Sequence, residues 1–218
     1  MNRHRIRTLI RQFAFTLLLI LSISLCSAAT SRSDGSLYPD NVSNLGLAPR
    51  HLVSGELVRV ITSVFLTHDW SHLTAAVVMA SLAVGGCEFT LGTKVAVCTF
   101  SLSHLTSVLI FAVGIGFLHW MQLGQTISTL YSLHDVGPSA GYYGCLSRTI
   151  VASKIPSRRM WTISLFAVLT VRTLVSFFQM PDSQIRLSAD VVHLIAASVG
   201  VVLHALFHQN NLFHQNKE

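Results

Sequence analysis

Charged side chains are scarce in this chain. Asp, Glu, Lys and Arg make up 11% of its 218 residues, while 51% are hydrophobic; a soluble domain ordinarily carries about 25% charged residues. Acids are the rarer sign, because 9 Asp and Glu stand against 15 Lys and Arg, for a formal net charge of +6. This composition argues against a soluble enzyme and predicts a membrane protein.

The chain also lacks a concentrated basic patch and a cysteine motif. Its basic residues form short clusters between apolar runs, which is typical of membrane proteins and predicts no nucleic-acid partner. Its cysteines show no CxxC spacing and all lie in apolar runs, so they predict small buried side chains rather than a metal centre. They are Cys26, Cys87, Cys98 and Cys145. No metal and no cofactor are predicted.

Long apolar runs, in contrast, are frequent. A transmembrane helix needs about 20 mostly apolar residues, and six segments approach that length. We therefore predict an all-α polytopic membrane protein with six transmembrane helices, surrounded by the lipid bilayer. The first segment ends near Ala29, and the others cover about 72–91, 94–118, 139–153, 160–178 and 187–206.

These helices divide the chain into four regions. Residues 1–29 form a basic cytoplasmic N-terminus and the first helix, 30–71 an extracytoplasmic loop, 72–208 the helical core, and 209–218 a mobile cytoplasmic tail. The later part of the loop is amphipathic and predicts short helices in the membrane interface, with Trp70 as an anchor. The first segment also has the basic start and small-residue end of a secretory signal, so its cleavage stays an alternative.

The distribution of Lys and Arg predicts the orientation. Of the 15 such residues, ten lie on the side that holds both termini, four on the other, and Arg172 within the fifth helix. Positive charge marks the cytoplasmic side, so both termini are predicted to be cytoplasmic, in the plasma membrane if the source is bacterial. The second, fourth and sixth helices then run inward and place His72, Ser139 and His193 near their outer ends.

The stretch "DVGPSAGYYG", Asp135–Gly144, is poorly suited to a plain membrane span because it holds proline, serine and three glycines. From Ser139 to Ala152 the helix is roughly 21 Å long, against a hydrocarbon core of about 30 Å. Ser139 is therefore predicted to lie about 9 Å below the outer surface. His193, about six residues into its helix, reaches a similar depth, so we expect the two side chains to meet inside the membrane.

These residue types favour hydrolysis. A serine hydroxyl is a weak nucleophile until a base accepts its proton, and His193 is the candidate base, with His134 as a rival beside the serine motif. The unpaired N–H groups of the helix's first turn can stabilise an oxyanion. Gly137 lets an irregular chain reach the helix, and Gly141 leaves one helix face without bulk, as close packing in membranes requires.

Four segments, "GELVRVITSVFLTHDWSHL", "CEFTLG", "GPSAGYYG" and "ADVVHLIAASVG", resemble motifs of the rhomboid intramembrane serine proteases. The similarity covers about 55–206. It implies a rhomboid-like six-helix bundle with a long first loop that cleaves transmembrane segments of other membrane proteins. It also implies Ser139 as nucleophile and His193 as base, with Tyr143 packed against the histidine ring and His72 supporting the oxyanion.

Three polar residues of these motifs are predicted to act structurally. Glu56 and Arg59 are expected to shape the first loop. Glu88 is expected to satisfy backbone groups near the inner end of the second helix.

The chain departs from the family's pattern where an oxyanion donor is usual. Ala76 replaces an asparagine, and the loss of one such donor typically costs about 10²–10³ in rate. We therefore keep a second hypothesis, a catalytically inactive rhomboid-like protein that binds transmembrane helices. A third is a small transporter or channel in which histidines carry protons. Candidate substitute donors are Ser71, Thr74 and Gln125, and smaller departures lie at Val58, Ala140 and Ala196.

Overall fold

The computed structural model describes residues 11–180 and 182–215, with side chains up to Phe207. Within these ranges the regular secondary structure is helical and no strand is present; two isolated bridges, Ser31–Leu37 and Leu47–Asp135, lie in the connecting segments. The all-α prediction is confirmed for the described residues. The helices are α1 Ala14–Thr30, α2 Pro39–Leu45, α3 Pro49–Val53, α4 Val58–Thr62, α5 Trp70–Leu91, α6 Thr93–Trp120, α7 Gln125–Ser132, α8 Ser139–Ala152, α9 Arg158–Phe178 and α10 Gln184–Gln215.

Four of these helices are long and apolar enough to cross a membrane: α5, α6, α9 and the Gln184–Phe207 part of α10. The chain is therefore consistent with a helical membrane protein. Two of the six expected spans are shorter. Helix α1 has 17 residues, and α8 has 14 because irregular backbone occupies the chain up to Pro138.

Helix α8 lies at the centre and packs against α5, α6 and α10. Small residues allow this approach, since a Cβ on Gly144 would overlap the Ser103 hydroxyl of α6. A Cβ on Gly200 of α10 would overlap the carbonyl oxygen of Gly144, and one on Gly141 would overlap the Phe100 ring. The backbones of α8 and its neighbours thus meet nearly directly, as small-residue packing in membranes permits.

Helix α1 joins this core through α5. Leu19 and Ile23 are buried with apolar residues of α5. Glu88 of α5, 1% exposed, accepts hydrogen bonds from the N–H groups of Phe15 and Thr16 at 3.0 and 2.9 Å and from the Thr16 hydroxyl at 2.7 Å. A helix start leaves unpaired N–H groups and a partial positive charge. Glu88 therefore caps α1, the backbone role expected of it.

The first loop folds into short helices, including α4 and a 3₁₀ turn over Ser63–Phe65 in its amphipathic part. Arg59 organises it: Nε donates to Glu56 at 2.6 Å, and Nη1 donates to the carbonyl oxygens of Ser43 and Gly46 at 2.7 and 3.1 Å. Arg59 and Glu56 thus hold the loop together, the structural role predicted for them.

Two further segments are helical. The connection after α6 contains α7, in which Leu130 is buried and Tyr131 stacks on His119 with ring centroids 4.2 Å apart. Helix α10 continues to Gln215, so residues 209–215 of the expected mobile tail are helical. A helix already formed extends over polar residues at little cost. The basic residues 1–10 and the tail end 216–218 lie outside the described residues.

Candidate active site

The structure brings Ser139 and His193 together where α8 and α10 pack. His193 Nε2 lies 2.7 Å from the Ser139 hydroxyl oxygen, within hydrogen-bond distance, although the residues are 54 positions apart. His193 is only 7% exposed. A hydroxyl that can donate to a buried imidazole is the arrangement that a serine nucleophile and its base require.

The backbone before Ser139 is held in an unusual conformation. Gly137 has a φ of +123°, which a residue with a side chain rarely adopts, and its N–H donates to the Ser63 carbonyl at 2.8 Å. Asp135 and Leu47 exchange backbone hydrogen bonds of 2.7 and 3.0 Å. The first loop therefore anchors this segment on both sides of Val136 and fixes where α8 begins.

The first turn of α8 provides donors beside the hydroxyl. Tyr142 N–H is the first to bond back, to the Pro138 carbonyl at 3.3 Å. The N–H groups of Ser139, Ala140 and Gly141 have no acceptor within the described part of the chain. Free N–H groups at a helix start attract negative charge, so this turn can stabilise an oxyanion formed next to Ser139.

Ser139 and His193 line a cavity of about 350 Å³. His72, Ala76 and Met79 of α5 form one wall, and Arg172 of α9 lies on another. A cavity of this volume, lined in part by polar side chains, has room for water. It is lined in addition by Leu66, Thr67, His68, Ala75, Asp135, Val136, Gly137, Pro138, Tyr142, Tyr143, Ile185, Arg186 and Ala189.

Two ionisable groups that line the cavity, Asp135 and His68, lie outside the membrane-spanning helices. Burial raises the pKa of Asp135 to about 6 and lowers that of His68 from its ordinary value. Both shifts favour the neutral form, because a poorly solvated site disfavours charge. With a pKa of about 6, Asp135 is nevertheless mostly ionised at pH 7, whereas His68 is mostly neutral there.

The expected supporting residues occupy distinct places. The Tyr143 ring lies against the His193 ring, with centroids 4.4 Å apart and planes 32° apart. His72 Nδ1 lies 2.9 Å from Asp69 Oδ1. Because a carboxylate only accepts, it favours the proton on Nδ1, and His72 can donate from Nε2 only when the ring is doubly protonated.

Ala76, where the resemblance leads one to expect an asparagine, has no side-chain donor, and the three candidate substitutes do not line the cavity. Ala76 is 7% exposed and lines the cavity without a donor. The hydroxyl of Ser71 donates to Asp69 at 2.7 Å and that of Thr74 to the Trp70 carbonyl at 2.9 Å. Neither of them, nor Gln125, lines the cavity. An oxyanion at this site would therefore be stabilised by the first turn of α8, and by His72 when it is protonated.

The rival base lies elsewhere. His134 Nε2 is 3.1 Å from His51 Nε2, and His51 Nδ1 is 3.1 Å from Glu56. His134 does not line the cavity. It belongs to the polar network of the first loop.

Sequence reasoning missed an acidic residue beside the pair. Asp190 is 2% exposed, and its Oδ1 lies 3.9 Å from His193 Nδ1 and 2.8 Å from Arg172 Nη2. Its Oδ2 accepts from the Ser176 hydroxyl at 2.8 Å. The signal was present, since an acid three residues before His193 on one helix face and a lone arginine in an apolar helix both call for partners.

No family model, curated protein or solved structure matches this chain. The resemblance to rhomboid proteases therefore stays a prediction, and the chemistry of the site follows from its own geometry.

Proposed function

We propose that this protein is an intramembrane serine endopeptidase of rhomboid type that cleaves transmembrane segments of other membrane proteins. The observation that carries the proposal is the 2.7 Å contact between Ser139 Oγ and His193 Nε2 on the wall of a cavity. Neither side chain of this pair makes another hydrogen bond among the described residues, so the pairing is specific.

The reaction proceeds in two halves. Ser139 Oγ attacks the carbonyl carbon of the scissile peptide bond while its proton passes to His193 Nε2, and the carbonyl oxygen becomes an oxyanion facing the first turn of α8. The C–N bond then breaks, and the leaving amine takes the proton from His193. Water enters and attacks the acyl carbon while it gives a proton to His193. The bond between the acyl carbon and Ser139 Oγ then breaks, Oγ takes the proton back from His193, and the carboxylic acid leaves.

The substrate class follows from where the site lies. Helix α8 rises about 21 Å, so Ser139 lies within the bilayer if α8 ends at the inner surface. A segment must unwind before its peptide bond reaches Ser139, and residues such as glycine weaken a helix by about 1 kcal/mol each. We infer substrates with small residues in the outer third of their transmembrane helix, approached between α5 and α9, whose residues both line the cavity.

The topology belongs to the same proposal. Six spans, with α1 and α8 crossing beside the four longer helices, place both termini in the cytoplasm by the excess of Lys and Arg on that side. The partners are then substrate helices and the surrounding lipid.

A second function is favoured by Ala76. The cavity gains no donor there, and an enzyme with a weak oxyanion site loses rate rather than binding. A catalytically inactive protein that binds transmembrane helices in the same cavity is the alternative.

The two are separated by reconstituting the full chain in lipid vesicles with paired single-span test proteins. One test protein has Gly and Ser in its outer third, and the other has Leu there. The protease cuts the first and spares the second, Ser139→Ala cuts neither, and the control Ser153→Ala, altered at the far end of α8, cuts like the wild type. Product masses give the cut position. Co-purification of test helices with no cleavage by wild-type protein would favour the inactive alternative. Equal cleavage by Ser139→Ala would refute the role of Ser139.

A further inference from the structure

We propose that Asp190 is a positioning residue that holds the His193 ring in the tautomer and orientation that the proposed reaction needs. The inference rests on the proposed function, because it gives His193 the role of base. It adds a third residue to the Ser139–His193 pair.

The Asp190 carboxylate lies close to the Nδ1 side of the His193 ring. Asp190 and His193 are three residues apart on α10, so their side chains project from the same face. Asp190 Oδ1 lies 3.9 Å from His193 Nδ1. Each is buried and lacks a hydrogen-bond partner of good geometry among the described residues. Closing the gap by about 1 Å makes an ordinary N–H···O bond.

The chemistry assigns a direction to that bond. A neutral imidazole carries its proton on one nitrogen, and the base must leave Nε2 free to accept the serine proton. The proton therefore lies on Nδ1, a buried donor that needs an acceptor. Asp190 Oδ1 is an acceptor that the structure places 3.9 Å from Nδ1, and a carboxylate also stabilises the imidazolium that forms when Ser139 is deprotonated.

The carboxylate is itself held from the opposite side. Arg172 Nη2 lies 2.8 Å from Oδ1, and the Ser176 hydroxyl donates to Oδ2 at 2.8 Å. Both belong to α9, so α9 fixes the carboxylate behind His193. The ion pair offsets the cost of burying a charge. Oδ1 lies near both Arg172 and His193. Because Arg172 belongs to α9, a shift of α9 would change the distance between Asp190 and the His193 ring.

A purely structural role makes a different prediction. If Asp190 only ties α9 to α10, its loss lowers stability without changing where the His193 proton sits. A readout of the tautomer separates these roles, and it needs no substrate.

The experiment is nitrogen-15 NMR of the full-length protein, labelled at histidine nitrogens, in detergent micelles at a pH where His193 is neutral. The His193 signals are those absent from His193→Ala. We expect the wild type to carry its proton on Nδ1, Asp190→Asn to lose this preference, and the control Ser176→Ala, which removes a bond to Oδ2 alone, to keep it. Asp190→Asn should also slow labelling of Ser139 by a fluorophosphonate about tenfold to hundredfold, less than the roughly 10⁴ known for a directly bonded aspartate.

Two results would overturn the proposal. One is the finding that neutral His193 in the wild type carries its proton on Nε2. This measurement uses the wild type alone, so it stands even if Asp190→Asn does not fold. The other is an Asp190→Asn protein whose His193 tautomer equals that of the wild type, whatever its stability. Failure of the wild type to react with the probe would instead count against the proposed protease, because the tautomer is measured without any reaction.

Discussion

Gly144 of α8 and Gly200 of α10 face each other so closely that a Cβ on Gly200 would overlap the Gly144 carbonyl oxygen. This contact sets the separation of the two helices that carry Ser139 and His193. The 2.7 Å distance between Ser139 and His193 therefore depends on a residue without a side chain almost two helical turns from the histidine.

Gly200→Ala should disturb both stability and reactivity. The new methyl group pushes α10 away from α8, and overpacking of a tight contact typically costs about 1–3 kcal/mol. We expect a lower thermal midpoint and a labelling rate of Ser139 at least tenfold below that of the wild type. Gly114→Ala is the matched control, since a Cβ at Gly114 of α6 meets nothing within 4 Å. Equal labelling by both variants would show that the contact does not set the Ser139–His193 distance.

Ala76→Asn should increase reactivity. An amide at this cavity position adds a donor where Ala76 has none, and one oxyanion donor is typically worth about 10²–10³ in rate. We expect labelling by a fluorophosphonate to rise about tenfold or more. Ala75→Asn, which adds the same amide at the adjacent cavity residue, should have little effect. A rise of the same size in both would indicate a general change in the cavity rather than a specific donor.

Glu88→Gln should destabilise the protein. Its carboxylate accepts three hydrogen bonds at the start of α1, and an amide can accept only through its oxygen and has no charge to oppose the helix dipole. We expect a loss of about 1–3 kcal/mol, measured as a lower midpoint of thermal unfolding in detergent. Glu56→Gln, in an exposed ion pair with Arg59, should change stability less. The reverse order would contradict the capping role.

Asp135 should make stability depend on pH. Burial raises its pKa to about 6, so the folded protein binds its proton more tightly than the unfolded chain does, with an ordinary value near 3.8. The contribution of Asp135 to the free energy of unfolding is therefore largest below about pH 4 and decreases as the pH rises to about 6. The loss is about 1–3 kcal/mol. Asp135→Asn should abolish this pH dependence, which is measured as thermal unfolding midpoints between roughly pH 4.5 and pH 7. A pH dependence that persists in Asp135→Asn would assign it to another group.

The Ser139–His193 pair and its contact with Tyr143 could be predicted from the sequence, but the ion pair beside them could not. Ser139 and His193 could be matched because helix rise and orientation placed both at one depth. The Asp190–Arg172 ion pair could not, because it requires knowing which faces of α9 and α10 meet. A lone arginine and a lone aspartate in apolar helices each marked a missing partner, but nothing in the spacing identified the other.

The connecting segments were less predictable for another reason. Helix α7 is stabilised by burial of Leu130 and stacking of Tyr131 on His119, which are tertiary contacts that override a polar composition. The conformation of Gly137 also depends on a tertiary contact, because its N–H bonds to the carbonyl of Ser63, 74 residues earlier.

The most direct test of the account is covalent labelling of detergent-purified protein by a fluorophosphonate, with the modified residue located by peptide mass spectrometry. The probe bonds to an activated serine oxygen, fluoride leaves, and the proton passes to the base. The account predicts an adduct on Ser139 that is absent from Ser139→Ala and from His193→Ala but retained in Ser153→Ala. Folded wild-type protein that stays unlabelled, or His193→Ala that labels as fast as the wild type, would contradict it.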